Sequence, residues 1–205
     1  MGDASLKRLI GLDRSGPAPP QTTAGSPLNP FTIPNAVGAV RLALVPAFLC
    51  LALIGGAPVS ASAAIVFAIC GAGDYADGFL ARLTGQYSRL GALIDPLTDR
   101  LLAISAVIVC LRYHLLPEWA LVLLLAREVI VLALARLGLG KGLELRINWP
   151  GRLSIPPLLG GLFFAMVGLA TVGEVLFLTG LTLALIAAWM YLQRWLQQLS
   201  SPPSS

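Results

Sequence analysis

Two apolar segments of this chain meet across the stretch DYADGFLARLTGQYSRLGALIDPLTD, residues 74–99. The stretch contains four of the chain's ten acidic residues, Asp74, Asp77, Asp95 and Asp99. An aspartate at the centre of a membrane helix costs roughly 2.5–3.5 kcal/mol, so packing alone would not retain four of them. We therefore expect these carboxylates to be paired, hydrated or bound to cations.

Helical spacing predicts where the four carboxylates lie. Asp74 and Asp77 are three residues apart and Asp95 and Asp99 are four apart, so each pair shares one face of a helix. The short linker 83–90 makes the two helices antiparallel neighbours, which brings the four carboxylates to one place. A cluster with oxygen ligands and no thiol or imidazole suits Mg²⁺ or Mn²⁺, and two ions suit its charge better than one.

Two residues between the acids extend this interpretation to a phosphate-bearing ligand. Gly78 lies one turn after Asp74, and Arg82 lies one turn further on the same face. Glycine leaves room for a ligand to approach the backbone, and arginine offers a fork of donors to phosphate oxygens. The pattern indicates a pyrophosphate site beside the metals.

Composition sets the fold class. Of 205 residues 57% are hydrophobic and 12% are charged, with a mean hydropathy of +0.81. Soluble domains carry roughly a quarter charged residues, so we predict an all-α integral membrane bundle of six transmembrane helices. The six apolar segments are 36–55, 60–82, 91–112, 117–138, 152–172 and 174–195. We expect one membrane domain over 29–195, a polar and disordered cytoplasmic N-terminus over 1–28, and a disordered tail over 196–205.

The basic residues predict the orientation. If both termini are cytoplasmic, thirteen of the fourteen Lys and Arg residues lie on or near that side, and Arg112 alone lies outside. The acidic ends of the second and third segments then also face the cytoplasm. The net charge of +4 comes from residues that flank apolar runs, where they meet anionic headgroups, and so it does not indicate a nucleic-acid partner.

The spacing of residues 74–99 resembles the motif of the CDP-alcohol phosphatidyltransferase family. Asp74, Asp77-Gly78, Ala81-Arg82, Gly91, Asp95 and Asp99 stand at the motif's fixed positions. Thr32-Ile-Pro-Asn35, followed by Arg41 and an apolar run, resembles the start of the family's first membrane helix. We expect a structural role for Arg41.

This resemblance implies a reaction, cofactors and partners. The family's members are six-helix enzymes, usually homodimers, with two metal ions at the cytoplasmic end of the bundle. By resemblance Asp74, Asp77, Asp95 and Asp99 bind Mg²⁺ or Mn²⁺, and Asp99 is also the general base. Gly78, Arg82 and Ser88 would hold the CDP part of CDP-diacylglycerol. The expected reaction is transfer of the phosphatidyl group to an alcohol, with release of CMP.

The acceptor alcohol is predicted from weaker features. Pro96 and the sequence Ala126-Arg127-Glu128 resemble the phosphatidylglycerophosphate synthase and cardiolipin synthase branches. We expect glycerol 3-phosphate as the acceptor, bound by Arg127, Arg136 and Arg152. Phosphatidylglycerol is the alternative, because Ser154 stands where glycerophosphate-using enzymes tend to have a second lysine. Inositol phosphate or another polar alcohol is a lesser alternative. Arg127 could instead form an interfacial ion pair with Glu128, and Arg136 and Arg152 could be membrane anchors.

Two other protein classes also place acidic residues in membranes. A prenyltransferase would need a second aspartate-rich motif, and this chain has one. A cation or proton transporter would place its acids near the middle of the bilayer and show symmetry between its halves. All four acids here belong to one predicted helix pair, which favours the enzyme.

Overall fold

The computed structural model describes residues 31–56, 61–139 and 149–200. The predicted N-terminal segment 1–28 and residues 201–205 of the predicted tail lie outside them. Within the described ranges the secondary structure is helical and contains no strand, which confirms the all-α prediction. The helices are α1 (Ile33–Ile54), α2 (Ala61–Thr84), α3 (Arg89–Arg112), α4 (Glu118–Leu139), α5 (Trp149–Met166) and α6 (Ala170–Ser200).

The first four helices agree closely with the predicted segments, whereas the break between the last two is displaced. The predicted loop at 172–174 is wrong, because the chain turns at Gly168 instead. Gly168 has a φ of +88°, and the N–H groups of Gly168 and Leu169 donate to the carbonyls of Ala165 and Phe164. This is the capping arrangement that ends helices at a glycine. Helix α6 continues to Ser200, past the predicted start of the tail at 196.

The protein is an integral membrane protein with several spans. Among the described residues, α1, α2 and the part of α6 from Ala170 to Gln197 are long and apolar enough to cross a membrane. Charged residues interrupt the apolar runs of α3 and α4, and α5 is the shortest helix at 18 residues. The charges on α3 include Asp95 and Asp99 of the predicted site, which lower the mean hydropathy of this helix.

The described chain divides into two compact units, and the first ends at Ala106. Thr32 caps the start of α1, where its Oγ1 accepts from the Asn35 N–H at 3.3 Å. Helix α1 packs along α2, with the Phe48 and Phe67 rings 5.6 Å apart in the core. The first unit thus holds α1, α2 and most of α3.

The second unit begins at Val107 and contains α4, α5 and α6. Helices α5 and α6 have the more extensive contact, and α4 also packs against α6. Glycines let the backbones of α5 and α6 approach closely. A methyl group on Gly180 would lie 2.6 Å from the Leu158 nitrogen, and one on Gly161 would lie 2.5 Å from the Phe177 nitrogen. Small residues are typical of such contacts between membrane helices.

Candidate active site

The four predicted aspartates lie on α2 and α3, in the first unit. Helix α2 ends at Thr84 and α3 begins at Arg89, so four residues connect them. Asp77 is buried, with 3% of its surface exposed, whereas the side chains of Asp74 and Asp99 are about half exposed, at 52% and 51%. The site therefore has one sheltered carboxylate and two that solvent or a ligand can reach.

Asp95 lies beside α1. A methyl group on Gly38 would lie 3.6 Å from Oδ1 of Asp95, an ordinary contact distance. Asp95 is itself partly buried. The third aspartate of the motif therefore points toward the first helix.

Arg41 of α1 connects the aspartates of the two neighbouring helices. Its Nη1 donates to Oδ2 of Asp77 at 2.8 Å and lies 3.5 Å from Oδ1 of Asp74. Its Nη2 donates to Oδ1 of Asp99 at 2.7 Å. Only 2% of Arg41 is exposed, so these are sheltered ion pairs rather than surface ones. Arg41 is thus in direct contact with three of the four predicted ligands.

Sequence reasoning missed this position of Arg41. From the sequence we expect a structural role for Arg41, but the sequence identifies no partner for it. A signal was present, because an arginine inside a membrane helix is expected to face the protein interior and pair with acids. The four aspartates supply those acids.

The aspartates fit a divalent cation by the chemistry of their donors. They provide carboxylate oxygens from two adjacent helices, and two of the side chains are half exposed. Among the residues that the structure describes, however, no three acidic, histidine or cysteine side chains are grouped closely enough to hold a metal ion. The guanidinium of Arg41 lies among these carboxylates and hydrogen-bonds to them.

Gly78 and Arg82 share one face of α2, as their spacing predicts. A methyl group on Gly78 would lie 3.3 Å from Nη1 of Arg82, so the arginine side chain folds back over the glycine. The guanidinium therefore lies over a part of the helix that has no side chain of its own. In this arrangement the Arg82 guanidinium lies near the backbone at Gly78, so one phosphate could contact both the guanidinium and the backbone.

The environment of Ser88 indicates a structural role in addition to the predicted role in ligand binding. It directly precedes α3, and its Oγ accepts from the Gly91 N–H at 2.9 Å, as a helix-capping serine does. The same hydroxyl donates to Oδ1 of Asn35 at 2.6 Å. Ser88 and Asn35 are 6% and 5% exposed. Ser88 thus links the starts of α1 and α3, and Asn35 is a second residue whose contact sequence reasoning did not find.

The predicted acceptor residues lie in the second unit. Arg127 on α4 forms an ion pair with Glu128, and its Nε lies 3.4 Å from the carbonyl oxygen of Ala184 on α6. Arg136 and Arg152 are exposed, near the end of α4 and the start of α5. The contact of Arg127 with Glu128 agrees with the alternative interpretation, in which the two residues form an interfacial ion pair. The same contact also holds the guanidinium in a partly buried position.

Taken together, the fold and site define a membrane-embedded helical protein with an aspartate and arginine cluster. Residues 31–196 match the family described as CDP-alcohol phosphatidyltransferase. This chain belongs to that family.

Individual relatives have two different names. The chain is 37% identical over 143 residues to a putative cardiolipin synthase of Mycobacterium tuberculosis, covering 69% of this chain and 64% of the relative. It is 43% identical over 107 residues to a cardiolipin synthase (CMP-forming) of Streptomyces coelicolor, covering 51% of this chain and 50% of the relative. It is 36% identical over 133 residues to the CDP-diacylglycerol–glycerol-3-phosphate 3-phosphatidyltransferase of Escherichia coli, covering 60% of this chain and 70% of the relative. The matches thus span less than two thirds of the first two relatives.

Proposed function

We propose that this chain transfers the phosphatidyl group of CDP-diacylglycerol to an alcohol and releases CMP. The observation that carries the proposal is the set of aspartates on α2 and α3, three of them held by one arginine, within a chain that belongs to the phosphatidyltransferase family. A buried arginine with several carboxylates is costly in a membrane protein. A role in a reaction on a pyrophosphate would explain why the protein keeps such a costly group of charges.

Asp99 is the proposed general base. Its carboxylate is half exposed, so an acceptor hydroxyl can reach it, while the hydrogen bond from Arg41 fixes its orientation. In the proposed step Asp99 takes the hydroxyl proton, and the acceptor oxygen bonds to the phosphorus on the lipid side of the pyrophosphate. The bond between that phosphorus and the bridging oxygen breaks, and CMP leaves with the electron pair.

The other motif residues hold the donor. Asp74, Asp77, Asp95 and Asp99 would bind Mg²⁺ or Mn²⁺, with two ions proposed, which would neutralise charge on the pyrophosphate. Arg82 would donate to phosphate oxygens, and Gly78 would let the CDP moiety lie close to α2. Ser88, which the resemblance assigns to the CDP site, is proposed to stabilise the start of α3 that it caps rather than to contact the CDP moiety itself.

The proposed acceptor is the hydroxyl of a glycerol that also carries a phosphate. Both predicted acceptors, glycerol 3-phosphate and phosphatidylglycerol, carry one. The names of the relatives support both acceptors, since those named cardiolipin synthase match at 37% and 43% identity and the glycerol-3-phosphate enzyme of E. coli matches at 36%. One observation favours phosphatidylglycerol. Ser154 is buried and its hydroxyl donates to the Gly151 carbonyl at 2.9 Å, so it supplies no cation for a phosphate.

The acceptor residues, location and assembly complete the proposal. Arg127, Arg136 and Arg152 would bind the phosphate of the acceptor. The distribution of Lys and Arg supports a cell-membrane protein with both termini and the active site on the cytoplasmic side. A homodimer is proposed from the family.

A product analysis tests the acceptor. Purified protein in detergent is supplied with labelled CDP-diacylglycerol and Mn²⁺, and separately with phosphatidylglycerol, glycerol 3-phosphate, inositol phosphate or serine. Mass spectrometry of the lipids identifies each product. We expect cardiolipin from phosphatidylglycerol as the main product. Phosphatidylglycerophosphate as the main product would restore glycerol 3-phosphate to first place, and products from serine or inositol phosphate alone would overturn both.

A further inference from the structure

Arg41 is the buried positive charge among the proposed metal ligands. It is one of the largest side chains that are fully enclosed, at 2% exposure. An arginine keeps its charge in proteins, so its burial must be compensated by acids. Three carboxylates compensate it here, those of Asp74 and Asp77 on α2 and of Asp99 on α3.

The guanidinium divides its donors between the helices. Nη1 bonds to Asp77 on α2 and Nη2 bonds to Asp99 on α3, each within 2.8 Å. The third nitrogen, Nε, donates to the Cys70 carbonyl at 2.9 Å. These donors have a fixed planar geometry, which a lysine ammonium on its flexible stem cannot reproduce. One side chain therefore sets the distance and orientation between two carboxylates on different helices.

The backbone of α2 is shaped to admit this side chain. A methyl group on Gly73 would lie 2.7 Å from Cδ and 2.9 Å from Cγ of Arg41. Any side chain at residue 73 would therefore displace the arginine stem. By contrast, a methyl group on Gly71, two residues earlier, would have no neighbour within 4 Å. The position of Arg41 thus depends on one particular glycine of this helix.

Arg41 and a divalent cation would use the same carboxylates. Four aspartates contribute a formal charge of about −4, and Arg41 reduces it to about −3. A metal ion bound to Asp77 or Asp99 would lie close to the guanidinium, and like charges at short range in a sheltered site repel strongly. The same contacts that orient Asp99 therefore oppose the binding of a cation.

We propose that Arg41 is a positioning residue that orients Asp99 relative to Asp77 and competes with the divalent cation for these carboxylates. The proposal rests on the proposed function, because it takes Asp99 as the base and the aspartates as metal ligands. It assigns Arg41 two opposite effects, one that raises turnover and one that weakens metal binding. If Arg41 only stabilised the fold, its substitution would not raise metal affinity while lowering turnover.

The test compares three variants for Mn²⁺ affinity and turnover. Mn²⁺ binding to the purified full chain in detergent is measured by the EPR signal of free Mn²⁺, without substrate, and CMP release is measured separately. Arg41→Gln removes the charge, and Arg41→Lys keeps the charge but not the fork. Arg112→Gln is the matched control. Arg112 is an exposed arginine at the other end of α3, and its substitution also removes one positive charge.

Affinity and turnover should move in opposite directions in Arg41→Gln. We expect the Mn²⁺ dissociation constant to fall at least about tenfold, because the competing charge is lost. We expect kcat to fall at least about 100-fold, because the base loses its orientation. Arg41→Lys should keep Mn²⁺ affinity near that of the wild type and still lose most of kcat. Arg112→Gln should match the wild type in both measurements.

The remaining outcomes overturn the proposal in distinguishable ways. If Arg41→Gln binds Mn²⁺ no more tightly than the wild type, Arg41 does not compete with the metal. If Arg41→Gln fails to fold, Arg41→Lys decides, since wild-type turnover in that variant contradicts the positioning role. If the wild type binds no Mn²⁺ and releases no CMP, the proposed function itself fails. A wild type that binds Mn²⁺ and turns over, beside an unchanged Arg41→Gln, removes only the inference about Arg41.

Discussion

Asp99 has contacts at the residue scale that suit a base, because one part of it is held and another is accessible. Arg41 donates to Oδ1 at 2.7 Å, while about half of the side chain remains exposed. A general base must be oriented and must reach the hydroxyl that it deprotonates. Asp77, which is almost fully buried, has the orientation without the access.

The Asp99→Asn variant separates the role of base from that of ligand. We expect kcat to fall at least about 100-fold, because an amide cannot accept the proton. CDP-diacylglycerol binding, measured by calorimetry in detergent, should stay close to that of the wild type. Asp74→Asn is the comparison, and it should weaken binding more than Asp99→Asn does. Equal losses of binding in the two variants would contradict a separate base role for Asp99.

Ser88→Ala tests whether this serine acts through the fold or through the ligand. Losing the cap of α3 should cost about 1 kcal/mol, which lowers the melting temperature by about 2–4 °C. The KM for CDP-diacylglycerol should change little. Thr179→Ala is the control, since it removes an exposed hydroxyl that bonds only one turn back along its own helix. An unchanged melting temperature with a raised KM would instead assign Ser88 to the CDP moiety.

The placement of the four aspartates on α2 and α3 could be predicted from the sequence, because each pair follows helical spacing. The contact between Asn35 and Ser88 could not, because it joins residues 53 positions apart. The ion pairs of Arg41 depend likewise on how α1 lies against α2. Helical periodicity gives the face of a residue on its own helix, but it does not specify which neighbouring helix covers that face.

At the scale of the elements, periodicity and composition located the helices better than they located one turn. The positions of α1 to α4 were predictable because polar or proline-containing segments flank long apolar runs. Between α5 and α6 the sequence offers several glycines, and the predicted break at 172–174 does not coincide with the one at which the chain turns. Gly168 ends α5 through its positive φ, whereas Gly173 lies inside α6 against the Ala165 backbone. Both roles favour glycine, so residue type alone does not separate them.

Gly180→Ala tests the close contact of α5 and α6. The added methyl group would lie 2.6 Å from the Leu158 nitrogen and 3.0 Å from the Ser154 carbonyl oxygen, and backbone atoms cannot move aside as a side chain can. We expect a loss of stability of about 1–3 kcal/mol, measured by thermal unfolding in detergent. Gly160→Ala is the control, with its nearest neighbour, a Leu176 methyl, at 3.7 Å. If both variants unfold at the wild-type temperature, the two helices are not held by this contact.

At the scale of the whole molecule, the membrane class was predictable from composition, whereas the acceptor was not. A chain that is 57% hydrophobic and 12% charged must place most of its surface outside water. The acceptor depends on single arginines on α4 and α5. One of them, Arg127, pairs with the adjacent Glu128. Such an arginine can bind a substrate or stabilise the helix bundle, and its residue type does not distinguish these two roles.

We propose that residues 74–99 form a metal-dependent site for phosphatidyl transfer. The most direct measurement is CMP release from CDP-diacylglycerol by the purified wild-type chain, with acceptor and Mn²⁺ or Mg²⁺, against the same mixture with a chelator. We expect CMP release that requires both the divalent cation and an acceptor. Folded protein that releases no CMP with any acceptor, or that releases it equally with the chelator present, would contradict this proposal.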